Sequence, residues 1–212
     1  MLAARGARPV EWQLANAPVG PHWCLIHLTQ MLPAETAAVA KSGAVAGLCP
    51  ITESSLGDGI FDGVAFREAG GRFGIGSDSN IRISLSEELR TLEYSQRLRD
   101  RGRAMLAGPV SSTGRALLEG AAHGGAQALR RAAGAIAPGL WADLLALDMD
   151  ALDLEGRRGD LLLDTWIFAG DDRMVAEVWS AGRLMVVNGR HIARDQVEPR
   201  ARAAFRRLKD RL

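Results

Sequence analysis

Two polar residues stand where parallel-sheet enzymes keep their chemistry. His27 closes the apolar run Trp23–His27 (WCLIH), and Asp78 follows the run Arg72–Gly76 (RFGIG) inside Ser77-Asp78-Ser79. An imidazole and a carboxylate at the carboxyl ends of neighbouring strands suit proton transfer or metal ligation, because the loops there converge. Each residue also has a plain structural reading: a hydrogen-bonded histidine after a strand, and an aspartate capping a helix or closing an Asx-turn. The loop Cys49–Ile60 (CPITESSLGDGI) leaves a second apolar run and is polar and glycine-containing. It suits either a segment folded over a ligand or an ordinary βα connection. Its glycines follow neither G-x-x-x-x-G-K-[ST] nor G-x-G-x-x-G, so no phosphate cradle is expected. His22, His123 and His191 show no metal-ligand spacing, and Cys24 and Cys49 form no C-x-x-C pair, which argues against structural zinc.

The elements that must position these residues are legible in outline. Trp23–His27, Ala44–Cys49 and Arg72–Gly76 are short continuous apolar runs beginning roughly 20 to 30 residues apart, the pattern of parallel strands covered on both faces. Pro33–Lys41 has helix composition with proline in the first turn. Ser84 and Glu87 have capping-box spacing, predicting a helix from Ser84 to about Ala104 with Leu85, Leu89, Leu92 and Leu98 on its apolar face. A second helix is predicted from Thr113 to Ala133, with Leu117, Leu118, Ala121, Ala122, Ala126 and Leu129 as its stripe. Gly120, Gly124 and Gly125 each lower that helix's propensity by up to about 1 kcal/mol, so packing must stabilise it.

From Gly134 the texture changes. Ala142–Leu147, Val175–Trp179 and Arg183–Val187 are strand-like, and Asn188-Gly189 is the pair that a type I′ hairpin turn favours. The segment Glu198–Leu212 reads as a charged amphipathic helix with Phe205, Leu208 and Leu212 on one side. No internal repeat is present.

Composition narrows the function classes. The chain has 212 residues, 47% hydrophobic, with 26 basic against 25 acidic residues. This is a globular composition without the basic surplus of a nucleic-acid protein. All but two of the basic residues, Lys41 and Lys209, are arginines. Both cysteines sit in apolar runs and read as buried thiols of a reducing compartment. No segment reaches the roughly 18 apolar residues of a membrane span, and no signal-peptide core follows Met1, so a cytosolic protein without membrane or nucleic-acid partners is expected.

Several of these stretches resemble one family. Gly134-Ala-Ile-Ala-Pro-Gly-Leu-Trp-Ala-Asp-Leu-Leu-Ala-Leu-Asp148 is similar to the G-x-I-x-x-G-x-x-A-D-hydrophobic-D pattern near the end of amidohydrolase-superfamily enzymes. Val178–Arg190 resembles the strand pair that closes their β-sandwich. Within the superfamily, Gly47–Pro50, Leu56–Phe61, Gly74–Ser79 and Glu87–Arg99 look most like the formimidoylglutamate deiminases of histidine degradation. The resemblance implies an α/β fold: the C-terminal part of a metal-dependent (β/α)₈ TIM barrel, about three βα units, plus part of a small β-sandwich. It divides the chain into a partial barrel (1–133), a sandwich portion (134–196) and a C-terminal amphipathic helix (197–212). It also implies one divalent metal, zinc in most relatives, that makes water nucleophilic near neutral pH. Asp78 maps onto the eighth-strand metal ligand, which also shuttles a proton to departing ammonia. His27 maps onto the sixth-strand histidine, which orients the hydroxide or steadies the tetrahedral intermediate. Ser79 and Asn80 follow closely enough to reach substrate.

The departures from the pattern are as informative. No H-x-H occurs in the chain, and no histidine precedes His22 to serve as the fifth-strand ligand. Gln30 stands where a second histidine of an H-x-T-H run is expected. A complete barrel takes about 250 residues, so the chain is expected to be the carboxy-terminal half of a longer enzyme, with Trp23–His27 as a cut sheet edge. Its partners would be a small-molecule substrate and either a second copy or a complementing N-terminal half. A single ligand carboxylate does not hold a four-coordinate zinc, so the chain alone is expected to bind substoichiometric metal and to be inactive. Other readings remain open: a deaminase of a purine or another amidine, or a non-catalytic remnant.

Overall fold

The computed structural model describes residues 2–209. Two short helices, α1 (Leu2–Arg5) and α2 (Pro9–Asn16), precede a three-stranded sheet in which strands alternate with helices. Strand β1 (Cys24–Ile26) leads into helix α3 (Pro33–Ser42), and β2 (Val45–Leu48) leads into α4 (Pro50–Leu56) and α5 (Gly63–Glu68). Strand β3 (Arg72–Ile75) is followed by α6 (Leu85–Asp100) and α7 (Thr113–Ala128). The order is β1-β2-β3 and both pairings are parallel, with Cys24 opposite Val45 and Val45 opposite Arg72. All three strands therefore point their carboxyl ends the same way. Val45, Ala46 and Leu48 of the central strand are fully buried, as strands covered on both faces require.

Local chemistry sets the helix starts. Pro33 and Pro50 occupy first-turn positions, where the missing N–H costs nothing. Ser84 Oγ accepts from Glu87 N–H at 3.3 Å, but the Glu87 carboxylate turns to Arg82 instead of completing the predicted box. Glu35 at the head of α3 accepts from Leu32 N–H at 2.7 Å, from Arg8 and from Glu11 N–H, tying α2 to α3.

Helix α6 corrects the predicted apolar face. Leu89 and Leu92 are buried, whereas Leu98 is 81% exposed and Leu85 is exposed. The inner face instead holds Glu88, Glu93 and Gln96. Glu93 accepts the amides of Met105 and Leu106, each at 2.9 Å. Gln96 accepts from Gly63 N–H and donates to Phe61 O. The helix faces loops whose backbone polar groups lack sheet partners, and long polar side chains satisfy them.

Helix α7 also shifts its stripe. Leu117, Ala121 and Gly124 are buried, while Leu129 and Ala122 are exposed. Its glycines are the contact surface: a Cβ on Gly124 would lie 1.9 Å from Phe73 O, and one on Gly120 would lie 2.8 Å from the Phe73 ring. The helix backbone rests directly on β3, a packing gain that offsets its weak propensity.

The C-terminal portion forms a second, four-stranded antiparallel sheet, β4 (Leu144–Leu147), β5 (Val175–Ser180), β6 (Arg183–Val187) and β7 (Arg190–His191), in that order. Asn188 and Gly189 take φ of 49° and 70° between β6 and β7, as the turn type requires. Among the described residues this sheet is a single layer. Between β4 and β5 lies a helix not anticipated from the sequence, α8 (Gly159–Phe168), which packs on α6 and α7 with Trp166 and Ile167 buried. Asp160 and Asp164 of α8 accept the Ser112 and Gly114 amides at the start of α7. The last helix, α9 (Arg194–Lys209), begins earlier than predicted and carries Pro199 within its first turns. Phe205 and Leu208 on it are exposed, and Leu212 lies outside the described residues. No described helix is long and apolar enough to cross a membrane.

Candidate active site

The carboxyl ends of β1, β2 and β3 bring three functional groups together. His27 is the first residue after β1, Cys49 the first after β2, and Asp78 the third after β3. One ligating atom from each lies within 4.8 Å of the others. His27 Nε2 stands 3.6 Å from Asp78 Oδ2. Both residues named from the sequence therefore share one site, and Cys49 joins them.

The backbone is bent to achieve this. His27 and Leu28 take φ of 69° and 56°, and Asp78 and Asn80 take 43° and 56°. Left-handed conformations in non-glycine residues cost on the order of 1–3 kcal/mol each and cluster at functional sites. His27 N–H donates to Gly47 O at 2.8 Å, which holds the imidazole close to the mouth of β2.

Glu53 on α4 is the residue that sequence reasoning missed. Its Oε1 accepts from His27 Nδ1 at 3.2 Å and from Cys49 N–H at 2.8 Å, and it is buried. A carboxylate that accepts at Nδ1 directs Nε2 toward Asp78. Burial pushes the Glu53 carboxyl up, against the lowering effect of the Cys49 amide and His27. Burial, with the nearby carboxylates Glu53, Asp78 and Glu88, pushes the Cys49 thiol up to about 11. One signal points here: the polar, glycine-containing loop from Cys49 suits a segment folded over a ligand. Its first part is α4, which carries Glu53 inward.

The remaining candidates are placed less centrally. Ser79 and Asn80 are exposed at the rim. Ser79 N–H donates to Thr52 Oγ1 on α4, and the Ser77 hydroxyl donates to Asn80 Oδ1, so Ser79 is tied to α4 and Asn80 to its own loop. Gln30 donates to Asp58 O and accepts from Arg8, linking the β1 loop to the chain after α4. Of the cysteines, only Cys49 is buried; Cys24 is half-buried, since it lies on the edge strand. His22, His123 and His191 take no part in the cluster.

The donor set fits a divalent metal: an imidazole nitrogen, a carboxylate oxygen and a thiol sulfur converge, with a carboxylate behind the imidazole as metal-bound histidines commonly have.

The sequence profile of the amidohydrolase family matches residues 21–185. The chain belongs to the amidohydrolase family. This amidohydrolase is 51% identical over 192 residues to formimidoylglutamate deiminase of Pseudomonas aeruginosa, covering 90% of the chain and 42% of that protein. It is 31% identical over 149 residues to a 5-methylthioadenosine/S-adenosylhomocysteine deaminase of Halobacterium salinarum, covering 69% of the chain and 33% of that protein. Among solved structures, an amidohydrolase from Brucella melitensis superposes with a TM-score of 0.90 at 46% identity, over 98% of this chain and 46% of that one. A zinc-bound adenosine deaminase from Xanthomonas campestris gives 0.85 at 27% identity, over 99% and 47%. The amidohydrolase chain thus spans less than half the length of these relatives. Its three βα units are part of an amidohydrolase (β/α)₈ barrel.

Proposed function

We propose that this segment contributes the His27–Asp78 side of the active site of a hydrolytic deiminase that converts N-formimidoyl-L-glutamate and water to N-formyl-L-glutamate and ammonia. The observation that carries the reading is the convergence of His27 and Asp78 in a chain 51% identical to formimidoylglutamate deiminase. Asp78 offers its carboxylate to a divalent metal, zinc by preference, with His27 and Cys49 beside it. When bound, the metal supplies Lewis-acid activation of water near neutral pH. Asp78 takes the proton released by the attacking water and passes it to the departing nitrogen. His27, held by Glu53, orients the attacking water or steadies the tetrahedral intermediate. Ser79 and Asn80 at the rim bind the substrate. The same reading places the protein in the cytosol and divides the chain after residues 133 and 196, with α8 laid back on the barrel helices. The remaining strands and ligands come from a complementing part, so the 212-residue chain alone is inactive.

Ammonia release by the full-length enzyme carrying this segment tests the reading, with N-formimidoyl-L-glutamate and adenosine offered in parallel. Turnover of the first, abolished by Asp78→Asn and strongly reduced by His27→Asn, is expected. Turnover of adenosine alone would move the assignment to a purine deaminase, and turnover of neither would overturn it.

A further inference from the structure

We infer that Gln30 is a positioning residue for the substrate: it laces the loop after β1 to the loop after α4, and so sets how firmly the rim of the site holds the part of the substrate that does not react. This role rests on the deiminase reading, in which an unreactive glutamate portion extends outward from the amidine.

Three loops at the carboxyl ends of the strands build the rim. The loop after β1 begins at His27, α4 and the turn behind it follow β2, and the loop after β3 carries Asp78, Ser79 and Asn80. One residue joins the second to the third: Thr52 on α4 donates to Ser77 O and accepts from Ser79 N–H, both at 3.3 Å. Gln30 is its counterpart on the other side, where its Nε2 donates to Asp58 O. The backbone of Gln30 is itself held, because Arg8 donates to its carbonyl while pairing with Glu35 at 3.1 Å. The side chain is therefore aimed at Asp58 from a fixed base.

Gly59 shows how closely the two loops meet. It takes φ of 103°, and a Cβ there would lie 2.9 Å from Gln30 Nε2 and 3.6 Å from Thr29 O. Any larger residue would part the loops. The contact also lies beside the chemistry, since Asp58 is near enough to Glu53 for its charge to add to the rise of that buried carboxyl.

His27 does not depend on this link. Its N–H is held by Gly47 O and its Nδ1 by Glu53, while Asp78 stands on the far loop. Loss of the Gln30 donor therefore loosens the rim and leaves the reacting groups in place. Such a change weakens ground-state and transition-state binding alike, which raises KM and leaves kcat as it was.

Gln30→Glu tests this, because it keeps the size of the side chain and removes its donor. In the full-length enzyme carrying this segment, KM for N-formimidoyl-L-glutamate should rise roughly 3–10-fold, the worth of one hydrogen bond, with kcat preserved. Gly59→Ala should act in the same way, and the double variant should be no worse than either single one, because both break one contact. Hydrogen exchange on the 212-residue chain gives a readout that needs no substrate. The Gly57 and Asp58 amides, which donate to Glu53 O, should exchange faster in Gln30→Glu, while those of β2 should not. Unchanged exchange would overturn the role of Gln30. So would faster exchange with an unchanged KM, which would leave Gln30 a purely structural link, or a fall in kcat at constant KM. A parent enzyme that does not turn over N-formimidoyl-L-glutamate fails the deiminase reading itself, an outcome seen before any variant is compared.

Discussion

His27 Nδ1 and the backbone amide of Cys49 share a single acceptor, Oε1 of Glu53, at 3.2 and 2.8 Å. Two strands are thus joined at their active ends by one buried carboxylate reaching in from α4. The link is positional and structural at once.

Replacing Glu53 separates the two roles. Glu53→Ala leaves the Cys49 amide without its acceptor, and an orphaned buried donor costs about 1–3 kcal/mol. Urea denaturation of the 212-residue chain should show that loss. Glu53→Gln can still accept with its amide oxygen, so its stability should fall by less. If Glu53→Ala is as stable as the parent chain, Glu53 does not anchor the end of β2.

Close approach of α7 to β3 makes neighbouring glycines respond in opposite directions. A methyl on Gly124 would meet Phe73 O at 1.9 Å, so Gly124→Ala must push the helix off the sheet. Overpacking of this kind costs about 1–3 kcal/mol or more. Gly125 has open space around its would-be Cβ. Alanine there should stabilise α7 by up to about 1 kcal/mol through helix propensity. Thermal unfolding of the two variants measures both; equal effects of the same sign would show that the helix does not rest on β3 as described.

The contrast between Gly124 and Leu98 explains what was readable in advance. Strand runs were legible because β2 is buried on both faces, and the Asn188-Gly189 turn because its backbone demands leave few residue choices. His27 and Asp78 were found since strand-end position alone constrains them. Glu53 and Cys49 were not assigned there, because their roles depend on strand neighbours that sequence spacing does not reveal: Glu53 is 26 residues from His27. Helix α6 misled for a related reason. An apolar pattern identifies a face that meets other side chains, but α6 meets unpaired backbone, so its inner face is acidic and Leu98 points to solvent. Helix α8 had a signal, the apolar residues of Leu161–Leu163 and Trp166–Phe168 at helical spacing, within a stretch dominated by strand patterns.

Glu88 gives the chain a pH dependence whose sign follows from its surroundings. It is 2% exposed, one oxygen accepts from Ile51 N–H at 2.9 Å, and the other, Oε1, has no partner among the described residues. Burial pushes its carboxyl up to about 7, with Glu53 and Glu87 adding to the rise against the Ile51 amide. The folded state therefore holds a proton that the unfolded chain, with an ordinary value near 4.5, has already released. Its contribution to stability is complete below about pH 4.5 and is lost as the pH rises through about 7. A shift of this size corresponds to a loss on the order of 3 kcal/mol above neutrality. Glu88→Gln mimics the protonated form at every pH, keeps an acceptor for the Ile51 amide and places a second polar group where the unpartnered oxygen lies. Urea denaturation at pH 5 and pH 8 should show the parent chain losing more stability than the variant over that interval, with the variant the more stable at pH 8. A parent chain whose stability rises between those values no less than the variant's would show that Glu88 is ionised at little cost in the fold.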